Sequence, residues 1–264
     1  MSFILSGHHK STFDWGDRLR AALVHLGLSA LVALLAGLLV FAVWYPYPYR
    51  VVSGGRELFL LVVAVDVVLG PLITFAIFDR SKGRAVLARD FAVIAVLQLA
   101  GLAYGLHAVQ LARPVHMVFE FDRFRVVHRI DIPENLESRV PPGVDYAPLG
   151  GPTLLAVRPF RDEQERMDTT LQALQGVALA ARPDLWETYD AARRRVTQAA
   201  RPVAQLKSRF PQHAAEIDEV LRQAGRTAAA TAYLPLVARK EQAWTVLLDD
   251  RSADIVGYLP LDSF

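Results

Sequence analysis

Residues 21 to 44 form an unbroken run of twenty-four positions without one Asp, Glu, Lys or Arg, and two further apolar stretches follow before residue 113. At about 1.5 Å per residue the first run makes a helix about 36 Å long, enough to cross a hydrocarbon layer about 30 Å thick. The run is longer than the apolar segment of a cleaved secretion signal. It ends in Trp44-Tyr45-Pro46-Tyr47-Pro48-Tyr49 with no small-residue cleavage site, so it is expected to stay in the mature protein. The aromatic residues predict an interfacial belt, and the prolines predict the end of the helix.

A second span is predicted from Leu58 to Phe78, interrupted by Asp66 and Pro71, and a third from Phe91 to about Ala112, with Gln98 and His107 inside it. The loop between these two carries Arg80, Lys82, Arg84 and Arg89 against Asp79 and Asp90, which by the positive-inside rule places it in the cytoplasm. Three crossings then put the tail of residues 1–20, with Lys10, Arg18 and Arg20, in the cytoplasm as well. Everything after Arg113 falls outside, in the periplasm of a bacterium.

Charge supports two parts. Residues 1–114 hold ten Lys+Arg against six Asp+Glu, and residues 115–264 hold nineteen against twenty-one. The basic excess behind the pI of about 9.0 therefore sits beside the spans, which argues against nucleic acid as a partner. Cysteine is absent, which excludes disulfides and thiolate chemistry.

Small residues recur at helical spacing within the spans: Ser29, Ala33 and Gly37; Gly70 and Thr74 beyond Asp66; Gly101 and Gly105. Such faces let helix backbones approach closely in lipid, either within the bundle or toward a foreign helix. Asp66 is expected near mid-bilayer, where a carboxylate needs a partner or a proton, and Gln98 of the antiparallel third span is its expected neighbour. Pro71, directly after Gly70, is expected to loosen or kink the second helix, opening a packing notch or a docking groove.

Beyond residue 114, Val115–Phe121 and Phe124–Asp131 predict a hairpin, followed by a Pro- and Gly-rich loop with a short strand at Leu154–Val157. Asp162–Ala181 predicts a helix with Leu171, Leu174 and Val177 on its apolar side. Glu187–Ala200 and Gln212–Ala224 predict further helices around breaks at Pro202 and Pro211. Strands return at Tyr233–Ala238, Trp244–Leu248 and Ile255–Leu259. The expected fold is three transmembrane helices in residues 21–113, then an extracytoplasmic α+β domain over 114–264 with an antiparallel sheet and a helical insertion.

Chemistry is sparse. The sequence has no Gly-rich phosphate loop, nucleophile elbow or zinc motif, and His116, His128 and His213 lack the spacing of a helical metal site. Arg193-Arg194-Arg195 reads as a solvated helix face, and Asp249, Asp250 and Asp254 as a turn. No enzymatic activity, metal or cofactor is expected.

Several stretches together resemble the type IV pilin accessory protein family, the TfpX/TfpZ group. They are Gly54-Gly55-Arg56-Glu57-Leu58-Phe59, Asp66-Val67-Val68-Leu69-Gly70-Pro71, Ala112-Arg113-Pro114-Val115, Phe119-Glu120-Phe121-Asp122-Arg123-Phe124 and Ile255-Val256-Gly257-Tyr258-Leu259-Pro260-Leu261-Asp262. The resemblance implies an inner-membrane, chaperone-like factor that stabilises a cognate pilin and promotes or modulates pilus assembly, with a pilin as partner. On that reading Asp66, Gly70, Pro71 and Thr74 are candidate contacts to the pilin's membrane helix, and Arg56, Glu57 and Arg113 are candidate interface anchors. The alternatives are a membrane-anchored periplasmic sensor or ligand-binding module, for which the short cytoplasmic parts offer no output domain, and an accessory to pilin modification.

Overall fold

The computed structural model describes residues 14–238 and 243–264, so Lys10 and the first thirteen residues of the expected tail lie outside the described residues. The chain divides into two compact units. One ends at Leu38 and resumes over Glu57–His107; the other comprises Leu39–Arg56 and Ala108–Phe264.

The first unit is built from α1 (Trp15–Leu38), which runs on into a π-helical turn at Leu39–Trp44, from α3 (Gly55–Ile77), which follows the single-turn helix α2 (Tyr49–Val52), and from α4 (Arg84–Leu111). All three long helices are long and apolar enough to cross a membrane. On α1 the buried and half-buried positions are Asp17, Arg18, Ala21, Ala22, His25, Ser29, Ala33, Ala36 and Gly37, single residues or adjacent pairs recurring every three or four positions, which is one face of a helix. The other faces expose Leu23, Leu31, Leu35, Leu60, Leu61, Val96 and Leu97, an arrangement stable only with lipid as the solvent.

Glycine sets the closest approaches. Gly105 lies against Val62 and Gly37 against the Phe59 ring, so a Cβ at either would meet those side chains. Gly101, expected on the same face as Gly105, is exposed with nothing within 4 Å. Pro71 sits inside α3 without ending it. At the end of α3 the expected cytoplasmic charges have structural work: Arg18 Nη1 donates to the carbonyls of Phe75 (3.2 Å) and Ala76 (2.7 Å). Lys82 Nζ donates to the Ile77 carbonyl (3.0 Å) and pairs with Asp90 (2.8 Å), and Arg80 pairs with Asp17 (3.0 Å). Cations there satisfy the carbonyls that the helix leaves open and complement its dipole.

In the second unit β1 (Pro114–Glu120) and β2 (Arg123–His128) form the expected hairpin. Then come β3 (Thr153–Val157), α5 (Glu163–Leu174), β4 (Trp186–Thr188), α6 (Tyr189–Ala199), β5 (Arg201–Pro202), α7 (Val203–Arg209), α8 (Ala214–Gln223), β6 (Thr231–Val237), β7 (Ala243–Asp249) and β8 (Ile255–Leu259). Among the described residues the sheet order is β4-β3-β1-β2-β6-β7-β8, with β5 beside β6. Most pairs are antiparallel as expected, but β1 pairs β3 and β2 pairs β6 in parallel, so the sheet is mixed. β2, antiparallel to β1, ends where β1 begins, and the long segment after it passes to the other side of β1, so β3 starts at that same end and runs parallel to β1.

Every residue of β1 is buried, as are the first six of β6, which is the pattern of a sheet covered on both faces. Met117, Phe119, Phe124, Leu234, Leu236 and Val246 point to one face and pack with Tyr189, Ala192 and Val196 of α6. The opposite face is shared between Val118, Val127 and Leu155 with Leu185 and Trp186, and Tyr233 and Leu247 with Leu206 of α7 and Ile217 of α8.

Two expectations need correction here. The helix predicted over Asp162–Ala181 ends at Leu174, because Gly176 takes a positive φ of 95°; Leu171 and Leu174 are then 51% and 80% exposed instead of core. The aromatic belt is also different. Tyr45 and Tyr49 are core residues of the second unit, 1% and 6% exposed. The Tyr45 hydroxyl donates to the Val109 carbonyl (3.1 Å), and that of Tyr49 to the Met117 sulfur (3.7 Å). A tyrosine whose hydroxyl finds such a partner is stable in a dry interior.

Candidate functional site

His25, on the inner face of α1, joins all three helices of the first unit. Its Nδ1 lies 2.5 Å from the Thr74 hydroxyl of α3 and its Nε2 lies 2.7 Å from Gln98 Oε1 of α4. The Gln98 oxygen only accepts, so Nε2 donates to it, and Nδ1 is left to the Thr74 hydroxyl. Gln98 in turn donates from Nε2 to the Asp66 backbone carbonyl (3.1 Å). The result is one hydrogen-bonded chain, Thr74 to His25 to Gln98 to Asp66, at a depth where unpaired polar groups are costly.

Gln98 is thus the neighbour of Asp66 that its depth predicted, but it engages the main chain and leaves the carboxylate aside. Among the described residues that carboxylate has no hydrogen-bond or ion-pair partner, and it lines a cleft of about 220 Å³ with Ser29, Ala33, Val63, Gln98 and Leu102. Asp66 is the twelfth of the 23 residues of α3, midway along the span. The cleft is lined by α1, α3 and α4, and its wall is mostly apolar apart from His25, Ser29 and Gln98.

The other expected contacts separate from Asp66. Gly70 and Thr74 are buried, Gly70 directly under the Gln98 amide and Thr74 against His25, so this part of the small-residue face is already filled by the chain's own side chains. Pro71 is half-buried. Arg56 and Glu57 are exposed, and neither makes a hydrogen bond or ion pair among the described residues. Arg113 is 3% exposed and donates to the carbonyls of Gln110 (3.2 Å), Ala147 (2.9 Å) and Pro148 (3.2 Å), tying the end of α4 to the loop before β3.

His25 was missed in the sequence, although an imidazole in an otherwise uncharged span, matched in depth to Gln98 and Thr74, was the available signal. In the second unit His116 has a similar environment: Nδ1 to the Thr153 hydroxyl (2.8 Å) and Nε2 to the Tyr146 carbonyl (3.1 Å). Burial pushes the His116 pKa down to about 4. His128 pairs through Nδ1 with Asp131 (3.0 Å). Among the described residues no group of three His, Asp or Glu is placed to hold a metal ion. The remaining acid and arginine runs are structural. Asp249 accepts from the backbone of Arg251 and Ser252 in a turn, while Arg193 pairs with Asp190 and Asp254, and Arg195 with Glu187.

A family model described as "Fimbrial assembly protein FimB" matches residues 13–54. The fimbrial assembly protein of serogroup I from Dichelobacter nodosus is 35% identical over 243 residues, 91% of this chain and 94% of the relative. That of serogroup E1 from the same organism is 34% identical over 242 residues, with the same shares. The protein of serogroups C1 and C2 is 41% identical over 109 residues, 41% of this chain and 83% of the relative. No solved structure matches.

Proposed function

The chain belongs to the fimbrial assembly protein family, and from that premise we propose that it is a non-enzymatic accessory factor that holds a type IV pilin in the inner membrane until the subunit enters the pilus. Near full-length similarity to proteins named for fimbrial assembly supports the role. The observation that carries the mode of action is the mostly apolar cleft lined by α1, α3 and α4. In this reading the membrane unit receives the apolar helix of the pilin, the mixed-sheet unit meets its globular part, and the helix pair's basic loop faces the cytoplasm with the sheet in the periplasm.

The test is a mild-detergent pull-down of the tagged chain from its native cells. Enrichment of a pilin is the expected result. Recovery of the chain without any pilin or pilus-assembly protein would sink the proposal. Orientation is checked separately by C-terminal reporter fusions, of which one active only outside the cytoplasm should report.

A further inference from the structure

A carboxylate midway along a membrane span, open to a mostly apolar cleft and without a partner among the described residues, lacks a donor. Lipid tails supply none. The cleft is also longer than one residue's surroundings. A second hollow of about 520 Å³, bordered at its charged end by Asp17, Arg20 and Arg80 and then by Ala21 and Val24, shares His25, Leu28, Ala95 and Gln98 with the first. Together they follow α1 from Asp17 to Ala33, about 24 Å at 1.5 Å per residue, which is most of the thickness of a hydrocarbon core. Small residues stand along the walls at Ala21, Ser29, Ala33 and Ala95, where a second backbone can come close.

We propose that this groove is completed by one transmembrane helix of the fimbrial subunit, and that the helix presents a side-chain hydrogen-bond donor to the Asp66 carboxylate. This rests on the assembly role proposed above and adds the site and its chemistry. The donor belongs to a side chain because the backbone N–H groups within a helix are already bonded to its own carbonyls. The His25-Gln98-Thr74 chain is the fixed floor: both ring nitrogens and the Gln98 amide are engaged, and Asp17 at the groove's end is paired with Arg80, so among the described residues Asp66 is the carboxylate left to read the incoming helix.

The absence of cysteine makes the test clean, since a single introduced thiol has no background. Leu102→Cys places a thiol on the groove wall, and Leu97→Cys one on the lipid-facing side of the same helix, 68% exposed. Each is paired in native membranes with fimbrial subunits carrying one cysteine at successive positions of their apolar helix. Crosslinks from residue 102 at every third or fourth subunit position, and none from residue 97, are expected.

In parallel, Asp66→Ala should lower subunit recovery about threefold to tenfold at unchanged level of the chain itself, the range of one interhelical hydrogen bond. Asp66→Asn, which keeps an acceptor oxygen, should lose less. Should Asp66→Ala fail to accumulate, the crosslinks and the Asn variant carry the decision. Subunit recovered with the wild-type chain, but crosslinked equally from both positions or retained fully by Asp66→Ala, would overturn the site and leave the assembly role standing. Crosslinks at residue 102 between two copies of this chain would overturn it too, and no subunit recovered with the wild-type chain would overturn both.

Discussion

His25 in the helical unit and His116 in the sheet unit are held by the same kind of pair, a threonine hydroxyl at Nδ1 and an oxygen acceptor at Nε2, yet they do different things. His116 is fully buried, edge-on to the Trp186 ring with centroids 4.7 Å apart, and its bonds close a dry core. His25 is half-buried and forms the floor of a groove. The difference lies in what surrounds the polar knot. Water drives the sheet unit to cover both its faces, whereas lipid exerts no such pressure on the bundle, whose polar contacts therefore sit beside surface still open to a partner.

The largest expected effect is in the sheet unit. His116→Ala empties a fully buried ring site beside Trp186 and removes the bonds to the Tyr146 carbonyl and Thr153 hydroxyl; it should destabilise the unit by about 3 kcal/mol, a fall in melting temperature of about 6 to 12 °C by near-ultraviolet dichroism. The same residue makes stability depend on pH. Unfolded, it takes up a proton near 6.5; folded, it stays neutral to about 4. Its contribution is thus fully present above pH 6.5 and lost as pH falls toward 4, by about 3 kcal/mol at 1.36 kcal/mol per unit.

Glu165, paired twice with Arg158 (2.7 and 2.9 Å) and held down to about 2, adds a second loss in the same direction between about 4.5 and 2. His116→Gln should flatten the first window and leave the second. A profile unchanged by that substitution would break the comparison at the sheet unit.

Next comes the bundle. Gly70→Leu drives a side chain into the Gln98 amide and should cost about 2 kcal/mol of bundle stability, seen as faster proteolysis of the helices in detergent with the sheet unit's signal intact. This substitution therefore tests packing and is a poor probe of docking. His25→Leu removes two interhelical hydrogen bonds, each worth about 0.6 kcal/mol in such settings, for a loss of about 1 kcal/mol. Gly101→Ala, facing open space, should change stability by less than about 0.5 kcal/mol.

The helical unit was the more legible of the two. Uninterrupted apolar runs announce spans because a helix in lipid must satisfy its backbone internally, and their length is set by the bilayer. Strands within 115–131 and 233–259 were also visible, because β-branched and aromatic residues cluster there. What stayed hidden was pairing across distance. The parallel neighbours of β1 and β2, the entry of Tyr45 and Tyr49 into the core, and the exposure of Leu171 and Leu174 depend on where distant segments return. The site was half legible: Asp66 and Gln98 were matched by depth, but which groups of each would meet was not.

By itself, then, the sequence determined that this chain is anchored by three apolar helices and carries an α+β unit after them, since both follow from local pattern and from the solvent each segment needs. Only the tertiary structure decided that Gly70 and Thr74 are filled from within while Asp66 is left to the groove. Small residues at helical spacing are equally compatible with either, and the choice falls to the rotation of each helix about its axis, which is fixed by side chains such as His25 and Gln98 from other parts of the chain.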